Sequence, residues 1–386
     1  MESSEHVVVG DSITLSLLDG TTVPAAATPL PVGDRTLSYG RIVALGGDFY
    51  GVRGKAATTT TAAVQPYQPI SSATDPGAAF ALAYGSLANA PDAELARILQ
   101  VMAKEQAAID NRPEGTKPSD AFAVLGDSLS YEWNEITGGG PASRGKASVV
   151  LQPGRYITLA TVNMDHFGTD AVKAYLAGHL LALRSAAQLH QMDPKSPQAR
   201  MKLLQAYGFN AFADHFLSDL FAAGHIRTPR RPLYEISGTI AGETGMIARA
   251  MHNEDNKDGL HVRNARGDRW VAYGDGFVLD DASRDNRVMA IAAVQASADE
   301  VYRAAATGQA AVAQPAALQL TPVLEDFVAK PGPGGPDHPP LFWADAKHYV
   351  YRRGGLAGDW HDTSNYDFFW PFSVAKMAAD VALGRP

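Results

Sequence analysis

The chain has 386 residues, a formal charge of −8, 46% hydrophobic and 19% charged residues, and no cysteine. That is chain enough to bury a large core as one domain or two, and without thiols any metal must be held by His, Asp and Glu. The acidic balance argues against a nucleic-acid polymer as partner, and no apolar run approaches the roughly 20 residues of a membrane span.

Residues 6–60 read as short strands and turns. His6-Val-Val-Val and Ser12-Ile-Thr-Leu-Ser-Leu-Leu are rich in strand formers, and Asp19-Gly20 supplies a turn. Residues 37–51 hold an amphipathic turn or two that deliver Asp48 beside Gly46-Gly47 and the aromatic pair Phe49-Tyr50. The Thr-, Ala- and Pro-rich residues 56–76 suit a surface loop.

From residue 78 the pattern turns helical. Residues 92–109 repeat apolar side chains three and four apart behind Pro91-Asp92. A polar loop follows at 111–119, then a short helix from Ser119, and Gly138-Gly-Gly-Pro141 breaks the chain. Residues 155–164 have strand propensity, but the spacing of Tyr156, Leu159, Asn163 and His166 favours a helix. Helices are expected at 169–189, 197–222 and 246–251, a turn-rich polar loop at 253–259, and a long helix from Asp281 or Ser283 to near residue 306.

After residue 310 the chain is Pro- and Gly-rich, then concentrates aromatics in Phe342-Trp343, Trp360 and residues 365–372. The expected fold class is mainly α. A β-rich segment at 1–60 carries Asp48, a helical metal-binding core spans 75–310, and an irregular extension at 311–386 packs on that core.

The chemistry gathers in the middle. His215 and Asp219 are four apart, so they share a helix face one turn from each other. Gly224 is placed to end that helix, and His225 returns just beyond it. His-x3-Asp-x5-His is the spacing by which an imidazole and a carboxylate converge on a metal and a third ligand comes back from the helix end. Around it stand His166 after Asp165, His179 after Gly178, and His252 with Glu254 and Asp255.

His190, His261, His338, His348 and His361 are better read as surface or hydrogen-bonded structural residues. Five imidazoles with three or more carboxylates exceed one tetrahedral site and fit two or three ions sharing a bridging carboxylate, an arrangement suited to phosphoester cleavage. Asn264-Ala-Arg-Gly-Asp268 and Tyr273-Gly-Asp-Gly276 have neither Walker nor Rossmann spacing.

The run His215-x3-Asp219-x5-His225, followed by His252 and its acids, resembles the ligand run of the zinc-dependent phospholipases C and the related single-strand nucleases. With Asn163-Met-Asp-His166, Gly178-His179, Asn210 to Arg230, Met251-His-Asn-Glu-Asp-Asn256 and Asn264 to Asp268, it is similar to the phosphatidylcholine-hydrolysing branch of pseudomonads and legionellae over roughly residues 37–305.

The resemblance implies a secreted zinc phospholipase C. Its metal ligands would be Asp48, His166, His179, His215, Asp219, His225, His252 and Asp255, with Glu254 as the alternative to Asp255. Asp48 would also take a proton from the attacking water, and Asp219 would bridge two ions. The family's acidic ligand position after the second His falls on Asn256, and the smaller members use an amino-terminal tryptophan where this chain begins Met1-Glu-Ser, so two or three zinc ions remain open.

A choline headgroup, as a quaternary ammonium, suits aromatic faces, for which Phe49, Tyr50 or the aromatic tail are the candidates. The implied partners are a phospholipid substrate and, transiently, a membrane surface, with the protein a monomer. No signal peptide is visible in the first residues, so another export route or a removed leader is expected. The alternative is a zinc phosphodiesterase acting on nucleotides or single-stranded nucleic acid.

Overall fold

The computed structural model describes residues 1–53, 67–237, 241–325, 349–350 and 366–367. It is mainly helical, with short strands before residue 69. The axis is the helix Pro197–Asp219. Ser196 opens it by accepting from the Ala199 amide at 3.1 Å, with Pro197 at the first helical position, where its missing N–H costs nothing.

Its first turns show Gln198, Arg200, Lys202 and Gln205 to solvent, whereas each residue from Asn210 to Asp219 is buried, so its second half is enclosed on all sides. It packs on the helices Gly168–Ala187, Tyr39–Leu45 and Arg284–Thr307. Gly178 sets one spacing: a Cβ there would run into the Phe80 ring and come within 2.7 Å of Ala213 Cβ. Phe80 meets Phe212 edge-on at 5.4 Å. Burying each such ring contributes roughly 1.5–3 kcal/mol as an upper bound.

The amino-terminal segment departs from expectation. Strands are present, pairing Thr14–Ser16 with Thr22–Pro24 and Leu30–Val32 with Arg35–Leu37. Gly20 turns the first hairpin at φ +86°. The His6-Val-Val-Val run, however, is helical, within Ser3–Asp11. Tertiary capping overrides the β-branched preference. Glu105, from the helix Asp92–Asp110, accepts from the Ser4 amide at 2.7 Å and from the Ser3 hydroxyl, while Glu5 accepts from the Glu2 amide at 2.9 Å. Gly10 and Gly40 then let this helix touch Tyr39–Leu45: a Cβ on Gly10 would sit 2.6 Å from Gly40 Cα.

The polar residues 253–258 are not a loop but the end of the helix Ala241–Asp258, which Gly259 terminates at φ +82°. Their side chains reach across to the site segment. Asp255 grips Arg227 at 2.8 and 2.6 Å, and Asn256 accepts from the Gly224 amide at 2.6 Å. Residues 155–161 are helical, and Val323–Leu324 adds a third strand to the hairpin Leu260–Arg263 with Arg269–Ala272.

Most of the Thr-rich stretch, and the tail aromatics except Tyr366, lie outside the described residues, as do His338, His348 and His361. Among the described residues no helix is long and apolar enough to cross a membrane.

Candidate metal centre

Asp219 closes the central helix fully buried, and its two oxygens look in different directions. Oδ2 lies 2.7 Å from His166 Nδ1 and 3.4 Å from His215 Nε2. Oδ1 lies 2.6 Å from the Met1 amino nitrogen and 3.5 Å from both His6 Nε2 and His225 Nδ1. Asp275 stands on the far side, with Oδ1 3.0 Å from the same amino nitrogen and Oδ2 2.9 Å from His252 Nε2.

The hydrogen bonds of the imidazoles decide what their free nitrogens can do. His215 Nδ1 donates to the Val43 carbonyl at 2.9 Å, His225 Nδ1 to the Asp219 carbonyl at 3.1 Å, and His252 Nδ1 to Asn253 Oδ1 at 2.9 Å. His6 Nδ1 donates to Ser218 Oγ at 2.9 Å, because the Ser218 proton is directed to the Asp214 carbonyl at 2.7 Å. These bonds assign the tautomer in which each Nε2 holds a lone pair.

The freed nitrogens converge. His225 Nε2 and His252 Nε2 are 3.1 Å apart, and His215 Nε2 is 3.4 Å from His166 Nδ1. His6 Nε2, Asp219 Oδ2 and Asp275 Oδ1 are buried and make no aligned hydrogen bond. Once His166 and His252 give up the protons that Asp219 and Asp275 favour, the facing nitrogens are lone pairs with no proton between them, and this nitrogen and oxygen donor set fits zinc.

Three groups among the described residues can each hold a metal ion, their ligand atoms within 4.8 Å of one another: His6, Asp48 and His215; His166, His215 and Asp219; and His225, His252 and Asp275. This is the architecture of a metal-dependent enzyme in general terms.

The electrostatics follow the same division. Burial holds His215 down at about 3, and burial together with the Met1 ammonium lowers His6. Burial also lowers His225. For Asp219 burial opposes ionisation, but the amino group and the surrounding imidazoles outweigh it and keep the carboxyl well below its usual range. Burial likewise opposes charge on His166 and His252, yet the carboxylates of Asp219 and Asp275 raise both. Burial pushes Asp48 up to about 6.

Glycines and one asparagine bring the segments this close. Gly47 has φ +66°, and a Cβ there would stand 2.5 Å from His215 Nε2. Gly224 and Gly274 both abut Asn256, whose oxygen takes the Gly224 amide and so pins the His225 turn to the His252 helix. Glu5 accepts from Gly276 and Val278 amides at 3.1 and 2.8 Å and ties the Asp275 turn to the helix carrying His6.

Of the residues expected from sequence, the structure brings Asp48, His166, His215, Asp219, His225 and His252 together. His179 lies elsewhere: its Nδ1 meets Asn210 Oδ1 at 2.7 Å and its Nε2 meets Glu300 at 2.9 Å, so both nitrogens are engaged between helices. Asp255 is spent on Arg227, and Asp275 takes the third position beside His225 and His252 in place of Asp255 or Glu254.

Phe49 is buried against Trp133 and Tyr156, and Tyr50 already carries a cation, Arg155, 4.8 Å from its ring centroid. Neither faces open space as a headgroup contact. Sequence reading missed His6 and Asp275. Only Asp275, flanked by glycines in Tyr273-Gly-Asp-Gly276, carried a local signal. No family model, curated protein or solved structure matches the chain.

Proposed function

We propose that the chain is a zinc-dependent phospholipase C that hydrolyses phosphatidylcholine-type lipids to diacylglycerol and a phosphorylated headgroup. The observation that carries this reading is the convergence of three ligand groups around Asp219 beside a cavity of about 620 Å³. His252 lines that cavity together with Phe167, Trp133 and Tyr156.

Aromatic faces suit a quaternary ammonium, and Glu2 and Glu105 on the same wall supply negative charge for it. Burial raises the Glu2 carboxyl, with Glu105 beside it adding to the shift, and burial raises Glu105 as well. A bound cation is what favours their ionised forms.

Two or three zinc ions would be held by His166, His215 and Asp219, by His225, His252 and Asp275, and by His6 with Asp48 and His215. When bound, zinc would acidify a water and neutralise phosphoryl oxygens. Asp219 orients both groups, one oxygen to each side. Asp48, 3.9 Å from His166 Nδ1, would be placed to take a proton from the attacking water. On this reading the enzyme is exported and acts as a monomer in transient contact with a membrane surface.

Assaying zinc-loaded protein side by side on mixed micelles of phosphatidylcholine and on single-stranded DNA tests the proposal. Release of phosphocholine with the DNA left intact is expected. DNA cleavage without phosphocholine release would reassign the chain to the nuclease alternative, and cleavage of neither would remove both.

A further inference from the structure

The five residues after Ile226 contain three arginines, and they are treated differently. Arg227 is held by both oxygens of Asp255, and Arg231 by Asp170 at 2.7 Å. Arg230, at the start of the helix Arg230–Ser237, is only 7% exposed and has no carboxylate against it among the described residues. Its guanidinium donates to three neutral oxygens: Nε to Asn163 Oδ1 at 2.9 Å, and Nη2 to the Ala160 and Thr161 carbonyls at 3.1 and 2.8 Å.

A guanidinium stays charged even when buried, and burying a charge without a counter-charge is costly. Burial accordingly pulls its pKa down. The three oxygens fix the plane of the fork, while Nη1 makes none of these bonds. Arg230, Asn163 and His252 line the same cavity, so the uncompensated cation opens into the space beside the candidate metal centre.

We propose that Arg230 is an anion-binding residue of this cavity, taking a non-bridging oxygen of a substrate phosphoryl group. The inference rests on the phosphodiesterase reading for its substrate class. Neutral partners hold the guanidinium in place without satisfying its charge, so a phosphoryl oxygen is received by a group already oriented for it. The residue thereby selects for an anionic centre next to the metal ligands, while the aromatic wall selects for the headgroup.

Titrating zinc-loaded wild type, R230K and R230Q with inorganic phosphate, beside kinetics on a soluble short-chain phosphatidylcholine, tests this. R230Q is expected to bind phosphate at least about tenfold more weakly and to raise KM more than it lowers kcat, with R230K intermediate at about threefold. Zinc content is expected to equal that of wild type in both.

An affinity within about twofold of wild type in R230Q, or in R230K should R230Q not fold, overturns the proposal. Loss of zinc or of fold in both variants also overturns it, since the arginine would then be serving the structure. Phosphate binding is read without turnover. A chain that binds phosphate through Arg230 yet cleaves no phosphodiester upholds this inference and removes the functional reading.

Discussion

At the scale of single residues, Asp219 matters most because, among the described residues, its side chain lies within 3.5 Å of ligand nitrogens from both sides of the site. Asp219→Asn keeps the shape and removes the charge. It is expected to lose bound zinc and activity together while far-UV circular dichroism stays unchanged. The loss should exceed about 100-fold, since even partners one bond removed from a metal are worth roughly 10–100-fold.

Asn253→Ala tests such a partner. Without the acceptor for His252 Nδ1, zinc affinity should fall by roughly 10–100-fold as measured by chelator competition. The pH dependence has a definite sign. His166 and His252 have pKa values raised above 6.5 in the metal-free protein, so zinc must displace a proton from each. Affinity should rise with pH through and above 6.5 until those protons are gone, with proton release visible in calorimetry across different buffers.

Much of the site is readable in the sequence at this scale, because His215, Asp219 and His225 are neighbours on one local stretch. His6 and Asp275 are not: His6 touches Ser218, 212 positions away, and no local spacing encodes that. His179 has the same helical look as a ligand, but the helix turns it toward Glu300.

At the scale of elements, the site depends on how closely the five segments carrying His6, Asp48, His166, His252 and Asp275 approach the end of the central helix. Gly47→Ala tests the tightest approach. Its positive φ costs an alanine roughly 1–2 kcal/mol, and the added carbon would displace His215 Nε2. Zinc loss exceeding the loss of thermal stability is expected; unchanged zinc affinity would show that Gly47 does not set the site.

The long helices are legible because apolar periodicity and caps agree, as at Pro197–Asp219. The two elements misread share one cause. The Ser3–Asp11 helix is capped by Glu105 from another helix, and residues 253–258 are held helical by Arg227 and Gly224. In both, tertiary partners outweigh local preference.

At the scale of the whole molecule, ligands from residue 6 to residue 275 bind the amino-terminal helix, the central helix and the Gly274–Gly276 turn into one unit. Metal should therefore stabilise the fold as well as the reaction. Binding at a thousandfold over Kd contributes about 4 kcal/mol, and at about 2 °C per kcal/mol for a large domain chelation should lower the melting temperature by roughly 8 °C. A melting temperature indifferent to chelator and to added zinc would count against a metal buried at the junction.

An anomalous-difference map collected at the zinc absorption edge, from crystals of zinc-loaded protein, is the most direct measurement. One peak is expected where His166, His215 and Asp219 converge and another among His225, His252 and Asp275, each about 2.0–2.2 Å from its ligand atoms. Zinc-loaded crystals with no peak at either position, or with peaks only on the protein surface, would contradict the placement of a metal centre around Asp219.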